Sequence, residues 1–258
     1  MNEIVVRVEP PGIATVTLDR PAKRNAVTLG MWRELARVFE GFAAADDVRV
    51  VVLTGAGGHF CAGADIGEFG EVRSGVEAGA AYEHAVDRCT EAIMGIAKPT
   101  IAAISGFCVG GGCGLAMACD FRVADRSAIF AIPAARLGIV YGTPDSRNLL
   151  SLVGLSRAKE ILYTARRFDA TEAHRIGFVD RVAADLAPEV GNLAQTLADN
   201  APISIAGAKL VLQALASGEA ERRAPEIGRM LDRAMGSTDY QEGVRAFRER
   251  RRPKFTGR

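Results

Sequence analysis

The sequence predicts an α/β fold of stacked β-β-α units with a helical C-terminal region, and three observations lead to it. Short β-branched runs recur along the first half, each run ends in a glycine-rich loop, and each loop opens a helical stretch. Beyond about residue 150 the β-like runs thin out and helical spacing takes over. A chain of 258 residues is long enough to bury one substantial core.

The first element is a hairpin. Ile4 to Val8 and Ile13 to Leu18 are β-rich, and Pro10-Pro11-Gly12 supplies the turn between them. Asp19-Arg20-Pro21 breaks the second strand, and Thr28 then caps a helix carrying Trp32, Leu35, Ala36 and Phe39 at helical spacing. Val48 to Leu53 reads as a strand buried on both faces, ending at Thr54-Gly55-Ala56-Gly57-Gly58. Residues 76–97 are helix-like until Lys98-Pro99 stops them. Thr100 to Ile104 is a short strand, Leu115 to Ala118 a buried helix and Phe121 to Ala124 the next strand. Residues 156–160, 170–173 and 186–215 are helical, with a β-like Val179 to Val182 between them. No Gly/Ser linker divides the halves.

Composition removes several function classes. The near balance of 32 basic and 31 acidic residues lacks the basic excess of a nucleic-acid surface. No apolar run reaches the length of a membrane span, and MNEIVVRVEP lacks a signal-peptide pattern, so the cytoplasm is the expected compartment. Five cysteines, Cys61, Cys89, Cys108, Cys113 and Cys119, lack metal-ligand spacing and read as reduced, structural side chains. No metal site is expected.

Two loops carry the chemistry. His59-Phe60-Cys61-Ala62-Gly63-Ala64-Asp65-Ile66 and Ser105-Gly106-Phe107-Cys108-Val109-Gly110-Gly111-Gly112 each follow a strand, and the second opens a helix. A helix start leaves amides unpaired and carries partial positive charge, and glycine lets a ligand approach the backbone. Two such loops face to face would place one amide each on a single oxygen, an oxyanion hole. Each loop alone also fits a purely structural turn. Gly110, Gly111, Gly112 and Gly114 do not match the dinucleotide-binding spacing, and the Gly-Lys-Ser/Thr ending of a P-loop is missing.

Together the loops resemble the crotonase (enoyl-CoA hydratase/isomerase) superfamily, and the resemblance runs over essentially the whole chain. Asp19-Arg20-Pro21 through Arg24-Asn25-Ala26 is similar to its early coenzyme A-binding segment. Ala170-Thr171-Glu172-Ala173 through Gly177-Phe178-Val179 is similar to a later helix-to-strand signature, and Tyr240-Gln241-Glu242-Gly243 through Phe255 to its C-terminal helix and tail. The resemblance implies a ClpP/crotonase-like core over residues 1–195 and a helical trimerisation region over 196–258, assembled as a homotrimer or a dimer of trimers. It implies an acyl-CoA substrate, with coenzyme A as part of that substrate and no separate cofactor. The amides of Ala64 and Gly111 would hold the thioester oxygen. Lys23, Arg24, Ala26, Ala62, Asp65 and Ile66 would line the coenzyme A channel, and Phe247 and Arg250 would help hold its nucleotide end. Asp65 also reads as a hydrogen-bonding stabiliser of its own loop.

The resemblance breaks at two positions. Hydratases of this family use two glutamates, which fall here at Gly114 and Ala134, and neither residue transfers a proton. General acid–base assistance contributes about 10²–10⁴ in rate, so hydration by the family's usual groups is not expected. The loop after Leu137-Gly138 offers Tyr141, Asp145 and Arg147 as replacements. Asp145 reads either as an isomerase-like acid/base or as a surface turn residue after Pro144. Leu137 to Tyr141 resembles methylmalonyl-CoA decarboxylases, where a tyrosine lies beside the substrate carboxylate and Arg147 would clamp it. Loss of two carboxylates from the pocket would favour an anionic substrate there, by on the order of 4 kcal/mol per charge at about 4 Å. Tyr141 also fits a buried aromatic whose hydroxyl finds a backbone partner. A third reading is a non-catalytic acyl-CoA-binding or scaffold protein. Glu68, Glu71, Glu83 and His84 read either as a solvated helix face or as groups that enter the pocket, where a carboxylate could substitute as base.

Overall fold

Pro10, Pro11 and Gly12 turn the chain between β1 (Ile4–Glu9) and β2 (Ile13–Leu18), which pair antiparallel from Ile4 opposite Leu18 to Glu9 opposite Ile13. The structure is a computed structural model that describes residues 3–258. Gly12 has φ +104°, and a Cβ there would lie 2.6 Å from Asp47 O, so only glycine fits this corner. Ala14, Val16 and Leu18 point inward at the two-residue period of a strand. Thr28 caps α1 (Leu29–Ala44) by accepting from Met31 N at 3.2 Å. Met31, Trp32, Leu35, Ala36 and Phe39 then bury one face at helical spacing.

Next come β3 (Val50–Gly55), the single turn α2 (Phe69–Val72), the long α3 (Gly75–Gly95), β4 (Thr100–Ile104), β5 (Phe107–Val109), α4 (Gly111–Ala118) and β6 (Phe121–Asp125). They are followed by β7 (Ile129–Ala131), α5 (Ala134–Leu137), α6 (Thr143–Thr164), β8 (Phe168–Asp169), α7 (Ala170–Arg175) and β9 (Arg181–Ala183). The chain ends in α8 (Leu186–Asp199), α9 (Pro202–Ala216), α10 (Ala224–Met235) and α11 (Thr238–Glu249).

The main sheet runs β1-β2-β3-β4-β6-β9, parallel except for β1 at its edge. Its central strands are buried on both faces, as their unbroken apolar runs require. Val51, Leu53, Ala102 and Ile104 enter the core that α1 shares. Val50, Val52, Ile101 and Ala103 meet Val190, Leu193, Ala194 and Ala198 of α8 on the other side.

Three features depart from the sequence reading. A second small sheet, β5-β7-β8, is stapled by Phe130, Phe168 and Phe178, whose ring centroids lie 5.2–5.5 Å apart. Its strands have two or three residues and carry no readable period. The stretch around Asp145 is not a surface turn, because Pro144 sits in the first turn of α6, where a missing N–H costs nothing. A core boundary at 195/196 falls inside α8, whose buried face covers the sheet through Ala198, so the core reaches the end of that helix.

The C-terminal tail folds back on α11. Buried Asp239 accepts from Thr256 N at 2.7 Å and Gly257 N at 2.8 Å, while Glu242 pairs with Arg251 and accepts from Lys254 N at 3.0 Å.

Candidate active site

The two glycine-bearing loops lie side by side. Cys61 N donates to Phe107 O at 2.8 Å and Val109 N donates to Cys61 O at 2.9 Å, which aligns one loop with the other. The close approach dictates the glycines. A Cβ on Gly112 would lie 2.5 Å from Cys61 O, and one on Gly111 would lie 2.9 Å from Cζ2 of Trp32. The same Gly111 position is 3.6 Å from Ala64 N, so the backbones of residues 64 and 111 border one space. The Gly111 amide opens α4, where amides have no intrahelical acceptor. The Ala64 amide donates to no acceptor among the described residues. Two free amides beside one space can hold an anionic oxygen.

One helical turn further along α4 lies Gly114, about 4.5 Å along the axis from Gly111. A Cβ on Gly114 would sit 2.6 Å from Asp145 Oδ2 and 3.2 Å from Oδ1. The carboxylate of Asp145, reaching in from α6, therefore occupies the ground that a side chain at position 114 would need. Asp145 is only 5 % exposed. Its Oδ1 accepts from Thr90 Oγ1 at 3.3 Å. Burial pushes its pKa up to about 6, and the charges of Asp87 and Glu83 add to burial, while the Thr90 and Tyr141 hydroxyls oppose it.

The cavity in front of these groups is lined by Ala62, Ala64, Ile66, Gly111, Tyr141 and Asp145, which brings six of the expected site residues together. Ala134 lines it too and brings no proton carrier. The Tyr141 hydroxyl donates to Gly110 O at 3.2 Å, the backbone partner that a buried aromatic finds. Burial first, and then the neighbouring Asp145 charge, hold the Tyr141 phenol well above its ordinary value.

Glu83 and Asp87 of α3 also line the cavity; the sequence reading missed Asp87 and left Glu83 open between the pocket and a solvated face. Burial raises both carboxyl groups, against Arg73 for Glu83 and His84 for Asp87. Their signal was present as a polar stripe, Glu83, Asp87 and Thr90, at helical spacing on one face. The expectation of a pocket cleared of carboxylates is thus corrected, since three of them line it or reach into it. An anionic acyl group would meet like charge on the order of 4 kcal/mol for each carboxylate at about 4 Å. Arg147 is exposed on α6 and does not line the cavity, so it is no carboxylate clamp. Glu71 and His84 are exposed, and Glu68 is spent on Leu29 N at 2.6 Å.

The remaining candidates lie outside that cavity. Ala62 N donates to Arg24 O and Asp65 N to Val27 O, both at 2.9 Å, so the 23–27 segment forms one ledge with the first loop. Lys23 and Arg24 are exposed on this ledge, the Arg24 guanidinium lies 4.9 Å from the Phe107 ring centroid, and Ala26 is buried beneath. Asp65 stabilises its loop. Burial works against its ionisation, but the Arg20 guanidinium at 3.0 Å and Gly67 N at 3.0 Å hold its pKa below the usual carboxylate value. Phe247 is 86 % exposed on α11, and neither it nor Arg250 lines the cavity, so one chain does not bring them to the site. All five cysteines are buried and free. No helix among the described residues is long and apolar enough to cross a membrane.

Known proteins resemble this chain along its length. The family model for enoyl-CoA hydratase/isomerase covers residues 9–258. A short-chain-enoyl-CoA hydratase of Clostridium acetobutylicum is 32% identical over 258 residues, covering 98% of this chain and 97% of that protein. A peroxisomal Delta(3,5)-Delta(2,4)-dienoyl-CoA isomerase of Arabidopsis thaliana is 30% identical over 266 residues, covering 98% and 96%. The crystal structure of an enoyl-CoA hydratase from Bacillus anthracis superimposes with a TM-score of 0.93 at 31% identity, covering 100% of both chains. With these relatives and this crotonase fold, the chain belongs to the enoyl-CoA hydratase/isomerase family.

Proposed function

We propose that this enzyme moves a double bond within an acyl-CoA thioester, using Asp145 as the single proton carrier. The observation that carries the reading is the Asp145 carboxylate in the space beside Gly114, one helical turn from the Gly111 amide. The Ala64 and Gly111 amides donate to the thioester oxygen, and the 23–27 ledge with Ala62, Asp65 and Ile66 borders the coenzyme A channel. For a 3-enoyl-CoA, the Asp145 carboxylate takes a proton from C2. The C–H electron pair forms a C1–C2 double bond, and the negative charge settles on the oxygen between the two amides. Asp145 then returns the proton to C4: the C3–C4 π pair forms the new C4–H bond, the C1–C2 π pair shifts to make the C2–C3 double bond, an oxygen lone pair restores the thioester C=O, and the carboxylate is regenerated. No water is consumed.

A carboxyl group with a pKa near 6 suits both halves of that exchange, because it gives up and recovers a proton with little bias near neutral pH. Tyr141 acts in this reading by holding the Gly110 carbonyl, which fixes the entrance to α4. A homotrimer or a pair of trimers is part of the same reading. Exposed Leu231, Met235 and Phe247 in the C-terminal region support it, and Phe247 and Arg250 would then serve a neighbouring copy.

Hydration is the second reading, favoured by Asp87, a further cavity carboxylate able to act with Asp145. The two are separated by incubating trans-3-hexenoyl-CoA and crotonyl-CoA with the protein and following products by chromatography and mass spectrometry. Conversion of the 3-enoyl thioester to its 2-enoyl isomer at unchanged mass, lost in Asp145→Asn, is the expected result. Gain of water on crotonyl-CoA as the faster reaction would replace isomerase with hydratase. Loss of CO2 from methylmalonyl-CoA would revive the decarboxylase. Binding of thioesters with no conversion of any would leave a non-catalytic binder.

A further inference from the structure

The wall of the acyl cavity continues outward from Gly111 through a chain of touching side chains. The Trp32 ring lies against Gly111, and its Nε1 donates to Tyr82 Oη at 2.9 Å. The Tyr82 ring meets Phe69 edge-on with centroids 5.7 Å apart. The Arg73 guanidinium closes this wall, 4.7 Å from the Phe69 centroid and 4.9 Å from that of Tyr82, and it pairs with Glu83. Phe69, Arg73, Tyr82 and Glu83 all line the cavity, and the Arg73 side chain is only 17% exposed.

The segment that carries Arg73 is tied at its start. Asp65 accepts from Gly67 N at 3.0 Å and Glu68 accepts from Leu29 N at 2.6 Å. Arg73 N donates to Phe69 O at 3.0 Å, which seats the side chain over the turn that leads to it. A long alkyl chain following this wall would have to separate the guanidinium from a carboxylate and two rings at once. The cavity it guards measures about 120 Å³. An apolar cavity of about 150 Å³ is known to hold a benzene ring, so the space suits an acyl group of about four to six carbons.

We infer that Arg73 is a specificity-determining residue that limits this enzyme to short acyl groups, by latching the α2 segment to Glu83 and Tyr82 across the end of the cavity. The inference rests on the acyl-CoA reading above but not on which reaction follows binding. It gives Glu83 a role separate from proton transfer, as the anchor of the latch.

The test is calorimetric titration of the full chain with butanoyl-CoA and decanoyl-CoA, saturated thioesters that undergo no double-bond shift. The wild type is expected to bind butanoyl-CoA at least about tenfold more tightly than decanoyl-CoA. Arg73→Ala should abolish or reverse that gap, and Glu83→Gln should narrow it by releasing the latch. Equal binding of the two thioesters by the wild type overturns the inference without recourse to any variant. So does an Arg73→Ala protein with a native circular dichroism spectrum that keeps the full gap. If neither thioester binds, the acyl-CoA reading itself fails and the latch falls with it; binding of both without discrimination removes the latch alone.

Discussion

The carboxylate of Asp145 stands where the side chain of residue 114 would begin, with Oδ2 only 2.6 Å from the position of a Cβ on Gly114. Gly114 on α4 and Asp145 in the first turn of α6, unrelated along the sequence, are therefore one arrangement in space. Glycine at 114 makes room, and Asp145 fills it.

Removing the acid should separate chemistry from binding. Asp145→Asn keeps the shape and the Thr90 contact but carries no exchangeable carboxyl proton. Turnover should fall by about 10²–10⁴, while the dissociation constant for a saturated acyl-CoA stays within about threefold. Steady-state kinetics and calorimetry on the same preparation check both halves.

Activity should rise with pH. A base must be ionised to act, and burial raises the Asp145 carboxyl to about 6. The pH profile of kcat/KM should climb through about pH 6 and level off above it. A profile already flat from pH 5 upward would contradict Asp145 as the base.

Stability should run the other way. The folded-state pKa of Asp145 lies above its ordinary 3.8, so the folded state holds the proton more firmly than the unfolded chain. That contribution is fully present below about pH 4 and is lost as pH rises through about 6, which at pH 8 amounts to up to about 3 kcal/mol. Asp145→Asn should raise the melting temperature at pH 8 and do so much less at pH 4. Thermal melts of both proteins at the two pH values measure it.

Gly114→Ala should push the acid out of place. A methyl group 2.6 Å from Oδ2 cannot be accommodated without moving Asp145 or α4. The cost should be about 1–3 kcal/mol in stability. The displaced base should lower turnover at least about tenfold. Denaturant melts and steady-state rates record the two effects, and a variant with wild-type turnover would show that the carboxylate does not work from this position.

The C-terminal tail offers a structural prediction independent of the chemistry. Asp239 holds Thr256 N and Gly257 N from a buried position. Asp239→Ala leaves those amides unpaired and should cost about 1–3 kcal/mol. Trypsin should then cut after Arg250 and Arg251 well before it does in the wild type, as read by intact-mass analysis over time.

Much of the framework is local and therefore legible along the chain. The β1–β2 hairpin follows from Pro10-Pro11-Gly12, α1 from Thr28 and its helical spacing, and the buried strands from Val50 to Leu53 and Thr100 to Ile104. In each case neighbouring residues supply both the period and the stop. The two loops could be recognised for a similar reason, because glycine at 111 and 112 answers a close backbone approach that leaves its mark on residue type. The short strands of the β5-β7-β8 sheet were hidden, since two or three residues carry no period and their pairing joins distant segments. Asp145 was named as a candidate acid, but its place beside Gly114 was hidden in the same way. Gly114 and Asp145 are 31 positions apart, and no periodicity relates a glycine on one helix to a carboxylate on another. Glu83 and Asp87 could be listed as charges on a helix face, yet only the packing of α3 against α4 and α6 turns that face toward the cavity. Backbone habit is set by near neighbours. Which side chains share a buried space, and so shift one another's protonation, is set by how the layers close.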